Sequence, residues 1–375
     1  MTKFMRNSYI ILIFFFFFVC SCNSHTTEQT DMDGTIITTD AHLLNLVDCG
    51  DYLYAEVKMN ATDSLPLAKY VIVDSGTHPA SLPEGCIVIN APLENTIVSS
   101  SVHAAGVNEL GKLNAIKGVT DVSYYVHDDP VYVGVEEGEI VNVGASFSPD
   151  IEKIIDLNPD GIIITPYEGD GYNELKKLKI PKILMTDYLE STPLGRAEWI
   201  IFIGALYGRF DEAREIYRKV SDKYQRLRVC AAKCDINPLI ITEKPMSGVW
   251  YVPGGDSYMA TLISDASATY PWYKTIEAGS IPMDVSSVIN AGSEADYWLI
   301  KDAKTITKES LLAEVPHAKA FKAFPDNVYV CNTIERPYFN AVAFHPELIL
   351  EDMVAIFHKG QCEIGPELRF FKHLE

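Results

Sequence analysis

The sequence predicts an α/β protein made of two Rossmann-like lobes joined by a long interlobe α-helix. The chain has 375 residues, and at roughly 150 residues per domain this length favours two lobes. Short apolar runs alternate with amphipathic helical segments over residues 86–185 and again over 239–358, which is typical of parallel sheets with helical crossovers. Between these regions, residues 191–233 have an almost continuous helical pattern.

The first lobe is predicted from apolar runs bounded by turn residues. One helix is expected to begin at Pro149 and to end before Asn158, because apolar residues recur at helical spacing between them. Further helices are expected at 104–113 and 173–178. The predicted strands are 52–58, 69–74, 86–90, 96–99, 140–143, 161–165 and 182–185.

The connecting helix is predicted to begin at Pro193, with Ser191 or Thr192 as its N-cap, and Gly208 marks a break before a second helix. The α/β alternation then resumes. Strands are predicted at 239–242, 249–252, 297–300 and 328–331, and helices at 259–265, 286–291, 310–314 and 348–358. The predicted divisions are an N-terminal extension with the N-lobe (41–190), the interlobe helix (191–210) and the C-lobe (211–375).

The N-terminus has the pattern of an export signal. Lys3 and Arg6 precede an apolar run, 9–20, that is too short to span a bilayer but long enough for a signal peptide. The following Val-Cys-Ser-Cys resembles a bacterial lipobox, in which the cysteine after the cleavage site is diacylated. We therefore expect a lipoprotein signal peptide at 1–21, a lipidated Cys22 and a flexible tether at 22–40. The alternatives are a plain secretory signal or a buried hairpin of apolar residues.

Composition excludes several classes of function. The formal net charge is −20, so a nucleic-acid partner is not expected, because that role needs a basic face. The sequence has no GxSxG, GxGxxG, Walker or HExxH motif, so we do not expect an enzyme or a resident cofactor. No histidine spacing predicts a bare-metal site. The six cysteines after Cys22 are expected to be ordinary thiols, with one disulfide as the alternative.

Three sequence phrases give the chain a family resemblance. They are SPDIEKII (148–155) followed by LNPDGI (157–162), STPLGRAEW (191–199), and WYVPGGDSY (250–258). In this order they resemble the helical-backbone (class III) substrate-binding proteins of ABC importers for cobalamin, ferric siderophores and haem. The resemblance covers about residues 86–358.

The resemblance implies a ligand cleft between the lobes and a monomeric, membrane-anchored lipoprotein facing the periplasm. Such a protein would capture a chelate containing iron or cobalt and deliver it to an ABC permease and its ATPase. The alternative is an outer-membrane or surface ligand-capture lipoprotein that works with a TonB-dependent receptor. Which membrane holds the anchor is left open.

Candidate ligand-binding residues lie where strands are expected to end and helices to begin. Helix starts offer free N–H groups to anionic ligands, and aromatic faces hold large flat ligands. The alternatives are ordinary helix capping by Ser148 and Asp256, and core packing for many of the aromatic side chains, Trp250 included. The candidates are Ser101, His103, Phe147, Ser148, Tyr167, Trp250, Tyr251, Gly255, Asp256, Arg336 and Tyr338.

The resemblance also implies a docking surface. Members of the family expose one glutamate on each lobe for the permease, and Glu152 matches the N-lobe position. At the C-lobe position this chain has Ser286 instead. The alternative for Glu152 is a solvated helix residue without a partner.

Overall fold

The structure is a computed structural model that describes residues 34–166, 173–365 and 367–375. The predicted signal peptide (1–21), Cys22 and the first part of the predicted tether lie outside the described residues, as does Tyr167. Within the part of the chain that the structure describes, no helix has the length and apolar character needed to cross a bilayer.

The strands are short and most of them are buried. In chain order they are β1 (Thr35–Ile36), β2 (Leu44–Asp48), β3 (Leu53–Val57), β4 (Ala68–Asp74), β5 (Ile87–Ala91), β6 (Thr96–Val98), β7 (Ile116–Val119), β8 (Val141–Asn142), β9 (Gly144–Ala145), β10 (Ser148–Pro149), β11 (Gly161–Ile164), β12 (Lys182–Leu184), β13 (Ile240–Thr242), β14 (Val249–Pro253), β15 (Ser280–Asp284), β16 (Tyr297–Asp302), β17 (Val328–Asn332) and β18 (Lys372–His373).

The α-helices alternate with these strands over most of the chain. They are α1 (Ser101–Glu109), α2 (Pro130–Glu136), α3 (Ile151–Leu157), α4 (Asn173–Lys176), α5 (Pro193–Leu206), α6 (Phe210–Ala231), α7 (Tyr258–Asp265), α8 (Val285–Gly292), α9 (Lys308–Glu314), α10 (Tyr338–Val342) and α11 (Pro346–Phe357). Short 3₁₀ helices cover Leu113–Ala115, Val122–Tyr124, Asp187–Leu189 and Ala318–Ala320.

The N-lobe contains two five-stranded sheets. The first, in the order β1-β2-β3-β4-β5, is antiparallel except for the parallel β4–β5 pair. The second, β12-β11-β6-β7-β8, is parallel throughout. This parallel sheet has the connectivity that the strand–helix alternation predicted.

The C-lobe is built on the sheet β13-β16-β17-β18, in which only the edge strand β18 is antiparallel. Strands β14 and β15 form a separate two-stranded antiparallel sheet. The predicted α/β class, with parallel sheets in both halves of the chain, is confirmed.

Helices α5 and α6 connect the two hydrophobic cores. Most buried side chains of α5 pack in the N-lobe core, while Leu194 at its start packs in the C-lobe core. In α6, Tyr217 packs in the N-lobe core and Leu227 in the C-lobe core. At 1.5 Å per residue α6 is roughly 33 Å long, so it also links the lobes, beyond the predicted interlobe range of 191–210.

The predicted tether is partly structured. Strand β1 pairs with β2, and the backbone N–H groups of Thr39, Asp40 and Ala41 donate to the Glu198 carboxylate over 2.8–3.0 Å. Glu190 accepts in the same way from the next two N–H groups, at 2.9–3.1 Å. Residues 34–40 are therefore attached to the N-lobe, which corrects the expectation of a flexible tether up to residue 40.

The structure contains a disulfide, which was the alternative considered for the cysteines. Cys230 and Cys362 form a disulfide with their Cα atoms 5.8 Å apart, which joins the end of α6 to the C-terminal segment. The expectation that all six cysteines are ordinary thiols is therefore wrong. Cys49, Cys86, Cys234 and Cys331 are free thiols.

Candidate functional site

A cavity of about 570 Å³ lies where the parallel sheets of the two lobes face each other. Its N-lobe wall is formed by residues that come after β6 and β7 in the chain. Its C-lobe wall is formed by residues at or just after the carboxyl ends of β13, β16 and β17. Because ligands of open α/β sheets sit outside the carboxyl ends of the strands, this position is the expected one for a binding site. The described lining residues are Ser99, Ser100, Ser101, Val102, Asp121, Tyr124, Glu243, Lys301, Asp302, Ala303, Thr333, Ile334 and Phe339.

The start of α1 forms one part of the wall. Ser100 is the N-cap residue and makes no side-chain capping hydrogen bond. The first N–H groups of a helix have no partner within the helix, and they carry a partial positive charge. Acceptor atoms of a ligand fit this end of the cavity.

Two lining carboxylates occupy left-handed backbone positions within two residues after the end of a strand. Asp121 has φ 52° and Glu243 has φ 63°. The Asp121 carboxylate accepts the Ser146 N–H at 3.2 Å. The backbone of Glu243 donates to the Leu299 carbonyl at 2.8 Å and accepts the Trp298 indole N–H at 2.6 Å. Such backbone strain persists only where surrounding contacts fix it, and it is common at binding sites.

The cations at the C-lobe wall are paired. Lys301 forms an ion pair with Glu243, and its ammonium lies 5.7 Å from the ring centre of Tyr338. Lys244, just behind the wall, pairs with Asp302 at 2.9 Å and with Glu314. Burial alone would lower the pKa of the Lys244 ammonium, but these two carboxylates raise it overall, so Lys244 stays positively charged.

Two exposed aromatic rings line the cavity from opposite lobes. Tyr124 is 72% exposed and Phe339 is 47% exposed. Exposed rings lose solvent contact when an apolar ligand face packs on them. Together with Val102, Ala303 and Ile334, they give the cavity an apolar component beside its charged groups.

A buried polar cluster lies next to the cavity. His103 is 2% exposed, and its Nε2 is 2.8 Å from Asp187 Oδ1, while Arg196 Nε donates to Asp187 Oδ2 at 3.0 Å. Burial alone would raise the pKa of the Asp187 carboxyl, but the charges and hydrogen bonds of His103 and Arg196 hold it well below its usual range. This cluster connects α1, through His103, and the first turn of α5, through Arg196, to the 3₁₀ helix Asp187–Leu189.

Side chains of α1 and of the N-cap residue of α2 contact the α10–α11 region of the C-lobe. Asn340 Nδ2 donates to Asp129 Oδ2 at 2.7 Å, and His345 Nε2 is 2.9 Å from the Glu109 carboxylate. A Cβ atom on Gly106 would lie 2.7 Å from Phe344. The lobes are therefore in direct contact beside the cavity as well as through α5 and α6.

Few of the predicted ligand residues line this cavity. Ser101 does, and His103 is adjacent but buried. Phe147, 68% exposed at the β9–β10 turn, and Ser148 are outside the lining. The residue that caps α3 is Asp150, whose carboxylate accepts the Lys153 N–H at 3.2 Å, so the capping role considered for Ser148 is wrong.

Trp250 was predicted at the cleft and belongs to the core. Its side chain is fully buried, stacks on Trp298 with ring centres 5.7 Å apart and contacts Phe321 edge-on. Its indole N–H donates to the Thr242 carbonyl at 3.0 Å. Tyr251 points to the other face of β14 and is 42% exposed, but it does not line the cavity.

The predicted helix start at 254–257 is covered by the protein itself. Gly254 N–H donates to the Gly279 carbonyl at 2.8 Å, Gly255 N–H to Thr275 Oγ1 at 2.8 Å and Asp256 N–H to the Glu277 carbonyl at 3.2 Å. These N–H groups are occupied, so their assignment to a ligand is wrong. The cap of α7 is Ser257, not Asp256.

The last predicted pair also lies away from the lining. Tyr338 is 1% exposed and packs against Phe370 and Phe371. Arg336 donates to the Arg369 carbonyl at 3.1 Å. Tyr338 is therefore a core residue, and its neighbour Phe339 is the one that faces the cavity.

The residues that sequence reasoning missed are mostly charged. Lys301 and Asp302 are the last two residues of β16, Glu243 directly follows β13, and Asp121 is the second residue after β7. Their place after buried apolar runs is the only signal that could have identified them. Single charged residues at strand ends are common, so this signal is weak without knowledge of which strand ends face each other.

Comparison with known proteins identifies the family to which the chain belongs. Residues 102–327 match the family model described as periplasmic binding protein. The chain belongs to this family. Periplasmic binding proteins bind substrates for transport. The predicted resemblance is therefore confirmed, and so is the prediction that the chain is not an enzyme.

Individual relatives agree with this assignment. An uncharacterized lipoprotein of Methanocaldococcus jannaschii is 27% identical over 294 residues, which cover 76% of this chain and 69% of the relative. The fold is similar to a periplasmic haem-binding protein from Pseudomonas aeruginosa (TM-score 0.59, 15% identity, covering 76% of this chain and 98% of that one). It is also similar to the Fe³⁺–Desferal-bound siderophore-binding protein from Vibrio cholerae (TM-score 0.53, 17% identity, 70% and 99%). The family and the lipoprotein relative indicate a location in the cell envelope.

Proposed function

We propose that this periplasmic binding protein is a lipid-anchored receptor that captures an iron chelate (a ferric siderophore or haem) or cobalamin between its lobes and delivers it to an ABC permease. The observation that carries the proposal is the interlobe cavity, which combines strand ends from both lobes with the exposed rings of Tyr124 and Phe339. A cavity of about 570 Å³ lies within the ordinary size range of small-molecule sites.

The proposal is tested by equilibrium binding of ferrioxamine B, haem and cyanocobalamin to the purified protein and two variants, Phe339→Ala and Tyr124→Ala. For a chelate that packs on these rings, each substitution is expected to weaken binding by roughly 1–3 kcal/mol, as is typical of aromatic anchors. Tyr273→Ala is the matched control, because Tyr273 is 59% exposed and does not line the cavity. Equal affinities for all three variants and the native protein would reject the cavity as the binding site.

The delivery step is proposed from a matching pair of helix starts. Glu152 and Ser286 are each the second residue of their helix, α3 and α8, and both are exposed. Both helices are capped in the same way, by Asp150 and Asp284. Glu152→Ala is expected to reduce uptake in cells that express the permease while chelate binding stays unchanged. Glu309→Ala, on the exposed face of α9, is the control.

The alternative, capture for a TonB-dependent receptor, is supported by Ser286. The C-lobe helix that matches α3 offers a hydroxyl where a permease arginine would need a carboxylate. Ser286→Glu distinguishes the two functions. Increased uptake would indicate permease docking, whereas uptake that is independent of both Glu152 and position 286 would favour the receptor-linked function.

A further inference from the structure

The charges of the cleft bear on which chelate it accepts. Among the described lining residues, three are carboxylates (Asp121, Glu243 and Asp302) and one is a cation, Lys301. Lys301 is already paired with Glu243, and Asp302 is paired with Lys244 behind the wall. The described part of the wall therefore offers no free cation to an anionic ligand.

Asp121 has no cationic partner among the described residues. Its carboxylate accepts hydrogen bonds from the Ser146 N–H and the Thr120 hydroxyl, each at 3.2 Å. These neutral donors hold the side chain in place and leave its negative charge uncompensated. Its backbone is left-handed, with φ 52°, and the residue lies two positions after the end of β7.

The start of α1 attracts negative charge in a ligand, but more weakly than the Asp121 carboxylate repels it. A helix N-terminus corresponds to about half an elementary charge, and uncapped N–H groups accept neutral oxygen atoms as well as anions. A ligand with oxygen acceptors toward α1 and a positive substituent toward Asp121 would satisfy both groups.

We infer that the cleft selects a chelate of neutral or positive net charge, such as a ferric hydroxamate, over anionic catecholate or carboxylate chelates, and that Asp121 is the residue that sets this preference. The inference rests on the proposed function. It specifies the ligand by charge, which the family assignment leaves open.

The test uses one ferric trihydroxamate core with three tails. Ferrioxamine B carries a free ammonium, its N-acetyl derivative is neutral, and its N-succinyl derivative carries a carboxylate. Affinity is expected to fall about three- to tenfold at each step from the cationic to the anionic tail, as for a unit charge interacting across a partly exposed cleft. The difference should shrink at high salt.

Variants identify the responsible group. Asp121→Asn keeps the shape and tolerates the left-handed backbone, and it is expected to reduce the cation-to-anion ratio by about tenfold. Asp211→Asn is the matched control: its side chain is 93% exposed, it lies outside the cavity lining, and it changes the net charge equally. Lys301→Gln leaves Glu243 unpaired and should widen the preference for the cation.

The outcomes separate the two proposals. Tightest binding of the anionic derivative, or a ratio that Asp121→Asn leaves unchanged, would overturn the charge inference while the proposed function stands. If none of the three derivatives binds, and haem and cyanocobalamin do not bind either, the proposed function fails and the inference fails with it. Circular dichroism of each variant verifies that the fold is retained.

Discussion

Replacing Trp250 by alanine should destabilise the C-lobe without changing ligand affinity. The indole is fully buried, packs against Trp298 and Phe321 and donates its N–H to the Thr242 carbonyl. Truncation of a buried aromatic side chain costs roughly 3–5 kcal/mol, and the unpaired carbonyl adds to this cost. We therefore expect a loss of about 4–5 kcal/mol in the free energy of unfolding.

The assay is urea denaturation followed by circular dichroism, which does not depend on the tryptophan that has been removed. Tyr251→Ala is the matched control, because Tyr251 is the next residue on β14, points to the opposite face and is 42% exposed. Its cost should stay below about 1 kcal/mol, as for most surface substitutions. A Trp250→Ala variant with a native denaturation midpoint and weakened chelate binding would refute the assignment of Trp250 to the core.

Three further predictions follow from other contacts. Cys230→Ser, which breaks the disulfide with Cys362, should cost about 4–5 kcal/mol because the closed loop spans 132 residues; an unchanged urea midpoint against wild type would contradict this. Although burial acts in the other direction, Glu109 and Glu347 raise the pKa of His345 from 6.5 to about 10, so its stabilising contribution is complete below pH 6.5 and is lost as pH rises through 10. The stability difference between wild type and His345→Gln should therefore shrink toward pH 10, and urea titrations that show a constant difference would disprove the contribution. Cys22→Ala should release the protein from the membrane fraction, as judged by immunoblotting, and retention of the variant in that fraction would exclude the lipid anchor.

The α/β architecture could be predicted because its signals are local. The apolar run Ile162–Ile164, stopped on one side by Asn158 and Pro159, indicates a buried strand next to a helix end, and the structure has both there. Likewise, Thr192 followed by Pro193 indicates a helix start, and Thr192 does cap α5 by accepting the Gly195 N–H at 3.1 Å.

The face of a strand could not be predicted where every residue is apolar or aromatic. In β14 the run Val249–Val252 shows no alternation between polar and apolar residues, so the sequence does not reveal that Trp250 points inward and Tyr251 outward. Only pairing with β15 and packing on Trp298 determine this.

The ligand contact predicted at the glycines 254 and 255 is not found in the structure, for a related reason. A Cβ atom on Gly254 would lie 2.0 Å from the Glu277 carbonyl oxygen, and one on Gly255 would lie 2.3 Å from the Thr275 carbonyl oxygen. Close approach of another chain segment and close approach of a ligand both require glycine. The sequence alone cannot distinguish these two neighbours.

The first three residues of α10 have three different environments. Tyr338 is buried in the C-lobe, Phe339 lines the cavity, and Asn340 holds the Asp129 carboxylate of the N-lobe. A ligand that packs on Phe339 would therefore contact the same turn of backbone that carries the Asn340–Asp129 contact between the lobes. Ligand contact and part of the contact between the lobes would therefore depend on one short helix, so a change in the α10 backbone would alter both at once.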